Sequence, residues 1–228
     1  MIVLKNRRLK FRLFVFQAAL KRSIFMQTVL TTEEMRQAEQ NAVLRGTSLL
    51  QLMENAGQGA ANALLQAYPQ AKHGLMICGK GNNGGDALVM ARILDKHNVK
   101  SDILFIMGEK LSELSQTNRD RLPENTPIYL SGNIDFTQYD FIVDAVFGTG
   151  FSGSLPEHIS PLFKQINKLP TKRFALDIPT GINCDTGDIA PNTFQAQHTF
   201  AFGAYKPAHI MDKTQSHCGT IQVIDIGI

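Results

Sequence analysis

The chain has 228 residues, of which 43% are hydrophobic and 19% charged, so it is long enough to bury a sizeable core in one domain. Residues 1–29 contain seven Lys and Arg and no acid, whereas the rest of the chain holds 16 of the 23 bases against all 20 acids, a net charge of −4. A mildly acidic body has no electrostatic footprint for nucleic acid, which excludes a nucleic-acid-binding protein as the first interpretation.

The first segment, residues 1–25, is a basic leader whose apolar run LFVFQAAL is short for a membrane span. Three interpretations stay open: a translation start placed too early, a targeting peptide, and a basic amphipathic surface anchor. We favour the first, because Met26 stands directly before a helix-entry signal. We therefore expect one domain over residues 26–228 and no membrane-spanning part.

Two helices are predicted before any strand. The first is capped by Thr31, carries Glu33 and Glu34 in its first turn and stops at Gly46; the second covers residues 48–68. Seven short apolar runs follow: LMIC, DILFIM, PIYL, FIVDAVF, RFALDI, HTFAF and TIQVIDI. Helical segments such as DALVMARILDKHN and PEHISPLFKQINKL separate some of them, which indicates a three-layer α/β fold with a mostly parallel sheet.

A glycine-rich loop follows the first apolar run, and its G-x-G-x-x-G consists of Gly79, Gly81 and Gly84. A dinucleotide-binding turn needs an acid about 20 residues later, at the carboxyl end of the next strand. Asp102 has the spacing but begins that strand, and Glu109 arrives late. The loop also lacks the Gly-Lys-Ser/Thr of a phosphate loop, so the fingerprint of a nicotinamide-dependent oxidoreductase is weak.

Asn82, Asn83 and Asp86 cluster with these glycines, beyond what a tight turn requires. We predict that Asp86 caps the helix ALVMARIL and that backbone N–H groups of the loop face a polar ligand.

Polar residues also follow two later strands. Asp144 lies among apolar neighbours in FIVDAVFGTG, and Asp177 and Thr180 follow RFAL. Because the carboxyl ends of parallel strands share one edge, Asn83 should meet these three side chains in one crevice. Asp144 either accepts hydrogen bonds from loop N–H groups or binds a cation, and Asp177 is either a general acid or base or the cap of its turn.

At these residues the chain resembles the NAD(P)H-hydrate epimerase family, also called the YjeF N-terminal domain family. The motifs that carry the resemblance are LTTEEMRQAEQ, LMENAG, GKGNNGGDALVMAR, VDAVFGTGFSG, LDIPTGINCDTG and FGAYKPAH. The resemblance implies a Rossmann-like α/β/α sandwich, usually a homodimer, that interconverts the R and S epimers of hydrated NADH or NADPH.

The same resemblance implies the roles of the site residues. A potassium ion would be bound by Asn83, Asp144 and Thr180. Our own hypothesis, which rests on the convergence of the loops, is that Asp177 exchanges a proton with the hydrated nicotinamide ring. The substrate would contact Asn82, Asn83, Gly84, Gly85, Asp86, Gly148, Thr149, Gly150, Phe151, Ser152, Gly153, Ser154 and Asp177. The family more often has Gly at the position of Ala87 and Ser at that of Thr180.

The resemblance also implies a partner activity, because many bacterial relatives fuse this domain to a dehydratase that removes the water. We expect such a dehydratase on another chain or as a fused domain. Three cysteines, odd in number and without a C-x-x-C pair, indicate neither disulfides nor zinc and favour a reduced, cytoplasmic compartment.

Two further alternatives remain open from the sequence. A non-catalytic scaffold module of the same fold is the second hypothesis, although Asn83, Asp144 and Asp177 argue against it. Lys206 in FGAYKPAH either contacts a phosphate or ribose of the substrate or is a solvated lysine near a strand end.

Overall fold

The computed structural model describes residues 28–130 and 134–228. The basic leader, residues 1–25, lies outside the described residues. Seven parallel strands form one sheet in the order β3-β2-β1-β4-β5-β6-β7. They are β1 His73–Cys78, β2 Lys100–Phe105, β3 Ile128–Tyr129, β4 Phe141–Ala145, β5 Lys172–Leu176, β6 His198–Phe202 and β7 Thr220–Ile224. Each predicted apolar run overlaps one of these strands, so the parallel α/β fold is confirmed.

Six α-helices lie in the described residues: α1 Thr32–Leu44, α2 Leu49–Ala67, α3 Asn82–Lys96, α4 Glu113–Arg119, α5 Ile159–Ile166 and α6 Gln215–Cys218. Thr31 caps α1 in a reciprocal capping box with Glu34, which fixes the start that the sequence predicts. The short α4 was not predicted. No helix of residues 28–130 and 134–228 is both long and apolar enough to cross a membrane.

Helices cover both faces of the sheet because side chains alternate along each strand. In β1, Met76 and Cys78 belong to the core under α2 and α3, whereas Leu75 and Ile77 belong to the core under α5. This alternation gives the three layers predicted from the sequence. The two buried clusters show which face of the sheet packs against which helices.

The order in which strands are added to the sheet reverses at β1, the switch point, because β1 pairs with β2 on one side and with β4 on the other. Loops that leave β1 and β4 therefore diverge at the carboxyl edge of the sheet and leave a crevice between them. The two strand ends stay joined at its base, since the Gly79 N–H donates to the Ala145 carbonyl at 3.0 Å.

The start of α3 differs from the prediction. The helix begins at Asn82 with Gly81 as its cap residue and no side-chain cap, so Asp86 lies inside the helix and does not cap it. Asn and Gly are poor helix formers, and a prediction from propensity delays the start. Tertiary packing decides otherwise: a Cβ at Gly84 would overlap the carbonyl of Gly79, and one at Gly85 would lie 2.7 Å from Met53 and Ser115 side-chain atoms.

Candidate active site

A cavity of about 500 Å³ lies at the carboxyl edge of the sheet, within the usual range for small-molecule sites. Its floor comes from the loops after β1, β4, β5 and β6, and its wall from α1 and α2. Apolar side chains from these elements, and one from the segment after β7, line much of it: Met35, Leu52, Met53, Val146, Phe147, Phe202 and Ile226. The site is therefore a concave, largely apolar pocket with polar groups at defined positions.

The predicted substrate contacts divide into two groups. Those that line the cavity are Asn82, Asn83, Asp86, Gly148, Thr149, Gly150 and Asp177. Gly84 and Gly85 instead allow α3 to pack closely, and Phe151 is buried in the core under α5. Ser152, Gly153 and Ser154 are exposed beyond the cavity lining.

Asp177 follows β5 directly and lies in the left-handed backbone region, with φ +62°. This turn directs its carboxylate into the cavity, where only 9% of the residue remains exposed. One oxygen, Oδ1, accepts from Lys206 Nζ and more weakly from the Phe202 N–H at 3.5 Å. The other, Oδ2, faces Gly148, because a Cβ on that glycine would lie 3.1 Å from it.

Lys206 is not a solvated lysine, so one of the two hypotheses made for it from the sequence is wrong. Its side chain is fully buried, and Nζ donates to Asp177 Oδ1 and to the Phe202 carbonyl at 2.6 Å. Lys206 is buried because the chain bends back after β6 and brings residue 206 to the floor of the cavity. A buried ammonium group needs such a partner, since an unpaired one would be strongly destabilising.

Asn83 joins the loops of β1 and β5. Its Nδ2 donates to the carbonyl of Leu176, the last residue of β5, at 3.4 Å. Its Oδ1 is buried without a hydrogen-bond partner among the described residues. A Cβ on Gly148 would lie 3.6 Å from Asn83 Cβ as well as 3.1 Å from Asp177, so these three residues lie together at the cavity. Asp144 and Thr180, which the sequence predicts in the same crevice, are not among the residues that line it.

Asp144, in β4, and Thr180, after β5, contact each other. The fully buried Asp144 carboxylate accepts from the Thr180 N–H at 2.7 Å, the Thr180 hydroxyl at 2.8 Å and the Val146 N–H at 3.2 Å. Acceptance of hydrogen bonds from loop N–H groups is thereby confirmed. Burial nevertheless raises the pKa of Asp144 to about 7, although these hydrogen bonds act in the opposite direction.

Two more carboxyl groups line the cavity, those of Asp86 and Glu39, and the sequence predicts only the first. Burial raises the pKa of Asp86 well above its usual value, and the negative charges of Asp177 and Glu39 add to the shift. Burial and Asp177 likewise raise the pKa of Glu39, which comes from α1. Residues 32, 35, 36 and 39 follow helical periodicity on one face of α1. This pattern is the sequence signal that could have indicated Glu39 as a cavity residue.

The acids considered for a dinucleotide ribose lie elsewhere. Asp102 is at the opposite edge of the sheet, where it contacts His73 at 2.8 Å and the Tyr139 hydroxyl at 2.9 Å. Glu109 pairs with Arg119 at 3.0 Å. Neither lines the cavity, in agreement with the weak fingerprint of the glycine loop.

Comparison with known proteins agrees with this architecture. The family profile described as "YjeF-related protein N-terminus" matches residues 49–208. A crystal structure of the yeast protein YNL200c superposes with a TM-score of 0.74 over 86% of this chain and 88% of that one; at 24% identity it shows the fold alone.

Relatives with similar sequences are of two lengths. The NAD(P)H-hydrate epimerases of Weissella koreensis and Pirellula staleyi are 32% and 31% identical over 89% of this chain, and the alignments cover 93% and 94% of those proteins. The bifunctional NAD(P)H-hydrate repair enzyme of Coxiella burnetii is 32% identical over 89% of this chain, which spans 42% of its length. The chain belongs to the family of the YjeF-related protein N-terminus.

Proposed function

We propose that this protein interconverts the R and S epimers of hydrated NADH and NADPH. The observation that carries the proposal is the meeting of Asn83, Gly148 and Asp177 in one cavity at the switch point of the sheet. The names of the relatives, NAD(P)H-hydrate epimerase and bifunctional NAD(P)H-hydrate repair enzyme, support the same reaction. The substrate class is therefore a damaged nicotinamide nucleotide.

The proposed chemistry depends on Asp177. Hydration of a dihydronicotinamide ring leaves a hydroxyl group on the ring carbon beside the nitrogen. Inversion at that carbon follows if the hydroxyl proton is taken as the C–N bond breaks to give an aldehyde, the nitrogen keeping the electron pair, and if the nitrogen then adds to the other face of the aldehyde as the proton is returned to the oxygen. Asp177 Oδ2 faces the cavity and takes this role as general base and then acid. Asn82, Gly148 and Thr149 orient the ring, and the apolar lining limits the water that reaches it.

A potassium ion is part of the proposal, and the residues present fit it. The fit is supported by the buried, unpartnered Oδ1 of Asn83 and by the buried carboxylate of Asp144. Together with the Thr180 hydroxyl they form an oxygen set suited to a hard cation. No group of three His, Cys, Asp or Glu among the described residues suggests a transition-metal site. Bound potassium would offset the charge of Asp144 and hold the three loops together.

The remaining expectations on partners stay part of the proposal. The active form would be a homodimer in a reducing, cytoplasmic compartment, and the burial of Cys78, Cys184 and Cys218 as free thiols supports a reduced protein. A hydrate dehydratase would act on the product.

The direct test is to incubate the purified protein with separated R-hydrate of NADH and to follow the approach to the epimer mixture by chromatography. We expect an epimerisation rate above the spontaneous one, and a loss of roughly 10²–10⁴-fold in Asp177→Asn because the proton carrier is removed. Asp95→Asn, which changes an exposed carboxylate on α3, is the matched control and should be fully active.

Two outcomes would count against the proposal at different levels. A wild-type rate equal to the spontaneous rate would contradict the epimerase function. Full activity in Asp177→Asn would leave the function intact but reduce Asp177 to a binding residue.

A further inference from the structure

The buried ion pair beneath the cavity joins two residues that are 29 positions apart, Asp177 and Lys206. The lysine side chain has no exposure, whereas that of the aspartate keeps 12%. Lys206 borders the cavity, but its side chain has no exposure and both observed contacts of its ammonium group are to the protein, so a phosphate or ribose would have to displace them. The partners of the ammonium group are Asp177 Oδ1 and the Phe202 carbonyl.

The ion pair determines which carboxylate oxygen of Asp177 faces the cavity. Lys206 and the Phe202 N–H occupy Oδ1, so the side-chain rotation that would exchange the two oxygens is opposed by both contacts. Oδ2 therefore stays on the cavity side, opposite Gly148. A carboxylate fixed in this way needs little reorganisation when it takes a proton.

The pair also places a positive charge near the two other acids of the cavity, Asp86 and Glu39. Asp86 and Glu39 line the same space but have no side-chain hydrogen bond among the described residues, and burial together with the charge of Asp177 raises the pKa of both carboxyl groups. The ammonium group of Lys206 is the nearby positive charge that opposes both shifts. Of the other bases on the cavity wall, Arg36 is paired with Glu33 on the exposed side of α1, and Lys80 is exposed at the rim.

The backbone around the lysine is held firmly. The Lys206 N–H donates to His209 Nδ1 at 3.0 Å, at the start of a short 3₁₀ turn over residues 207–210. Burial, and secondly the nearby lysine charge, lowers the pKa of His209 to about 4, so its ring is neutral at physiological pH and adds no competing positive charge. The Tyr205 N–H is bound to the Thr28 carbonyl at 3.0 Å.

We propose that Lys206 is a positioning residue for epimerisation, which holds Asp177 as an ionised carboxylate with one oxygen turned to the substrate. This role rests on the proposed epimerase function. Lys206 does not touch the substrate in this proposal, so its whole effect on the reaction passes through Asp177.

The test is a double-mutant cycle on R-hydrate epimerisation with wild type, Lys206→Met, Asp177→Asn and the double variant. Methionine keeps the length of the side chain but removes its charge. We expect Lys206→Met to lower kcat by roughly 10²-fold, the lower end for a proton-transfer group, with KM within about twofold. Adding Lys206→Met to Asp177→Asn should cost less than about twofold more, because residues that act as one unit are not additive.

The pH profile provides a second readout that a purely structural lysine would not move. A buried carboxylate without its counter-charge ionises less readily, so the acid-side fall of kcat/KM in Lys206→Met should move up by about one pH unit or more. Lys213→Met is the matched control, because this lysine pairs with Asp188 on the surface and both side chains are more than half exposed. It should leave kcat, KM and the profile unchanged.

The outcomes separate this role from its alternatives. A rise in KM at constant kcat would assign Lys206 to substrate binding, and an additive loss in the double variant would make it independent of Asp177; either overturns the proposal. If Lys206→Met fails to fold but the double variant folds, the unpaired Asp177 carboxylate causes the failure and the pairing is supported. If both fail, the lysine is purely structural. A wild type that does not epimerise removes the function itself, which the wild-type rate distinguishes from a failure of this role alone.

Discussion

At the level of single residues, Asp144 is a fully buried acid whose ionisation is unfavourable for the fold. It is fully buried, and its pKa of about 7 lies above the ordinary value of 3.8. Three donors from Thr180 and Val146 satisfy part of its charge, and within residues 28–130 and 134–228 no cationic side chain is among its hydrogen-bond partners. A carboxylate kept in such surroundings is consistent with a bound cation, which is the proposed role of potassium.

This shift predicts a pH dependence of stability. Because the folded state holds a proton on Asp144 that the unfolded state has released, the stabilisation is present at low pH and is lost as the pH rises through about 7. In potassium-free buffer we expect the free energy of unfolding, measured by urea titration, to fall by about 2–3 kcal/mol more between pH 5 and 8 in wild type than in Asp144→Asn.

Asp95→Asn is the control for this measurement, since it removes an exposed carboxylate of α3 and should keep the wild-type pH dependence. Parallel pH curves for wild type and Asp144→Asn would show that burial does not perturb Asp144 as described.

At the level of elements, the contact between α2 and α3 sets the position of the glycine loop. Gly57 of α2 lies against α3 so closely that a Cβ would lie 2.7 Å from the Asp86 carbonyl oxygen and closer still to the Val89 side chain. The backbone of Asp86 cannot move away without shifting the first turn of α3, which carries Asn83. Packing between two helices thus determines where the site residues stand.

Gly57→Ala should therefore destabilise the protein, although alanine is the better helix former by about 1 kcal/mol. Overpacking at a fixed backbone typically costs about 1–3 kcal/mol, and we expect a net loss within that range together with lower epimerase activity. Urea unfolding measures the first effect and the epimerisation assay the second.

Gln66→Ala on the exposed face of the same helix should stay within about 0.5 kcal/mol of wild type. A Gly57→Ala variant more stable than wild type would mean that helix propensity, and not the contact with α3, decides at this position.

At the level of the whole molecule, the proposed potassium ligands come from three separate segments. Asn83 follows β1, Asp144 lies in β4 and Thr180 follows β5, so a bound ion would link neighbouring strand ends across the switch point. A ligand that binds the folded state and not the unfolded state stabilises the entire fold.

We expect potassium chloride to raise the Tm of wild type above its value in choline chloride at the same ionic strength. At 100 times the dissociation constant the gain is about 2.7 kcal/mol, or roughly 5–10 °C for a protein of this size. Asn83→Ala should lose this increment because it removes the unpartnered amide oxygen. Asn62→Ala, at an exposed position of α2, should keep it. An identical Tm of wild type in both salts would exclude a stabilising potassium site.

The sequence by itself determined the class of fold and the edge of the sheet where the site lies. Alternation, apolar runs and capping residues are local patterns, and they predicted α1, α2 and all seven strands. Asn83, Asp144, Asp177 and Thr180 were predicted together because parallel strands bring their carboxyl ends to one edge. The structure places Asn83 and Asp177 at the cavity, whereas Asp144 and Thr180 contact each other outside its lining.

Only the tertiary structure decided the early start of α3, the contribution of Glu39 and the burial of Lys206 against Asp177. Each depends on contacts between segments that are distant in the chain, and local propensity carries no information on them. A lysine after a strand has the same local signature whether it is solvated or buried. Its state is decided by how the chain folds back after β6, because a charge is stable inside a protein only where another segment supplies its partner.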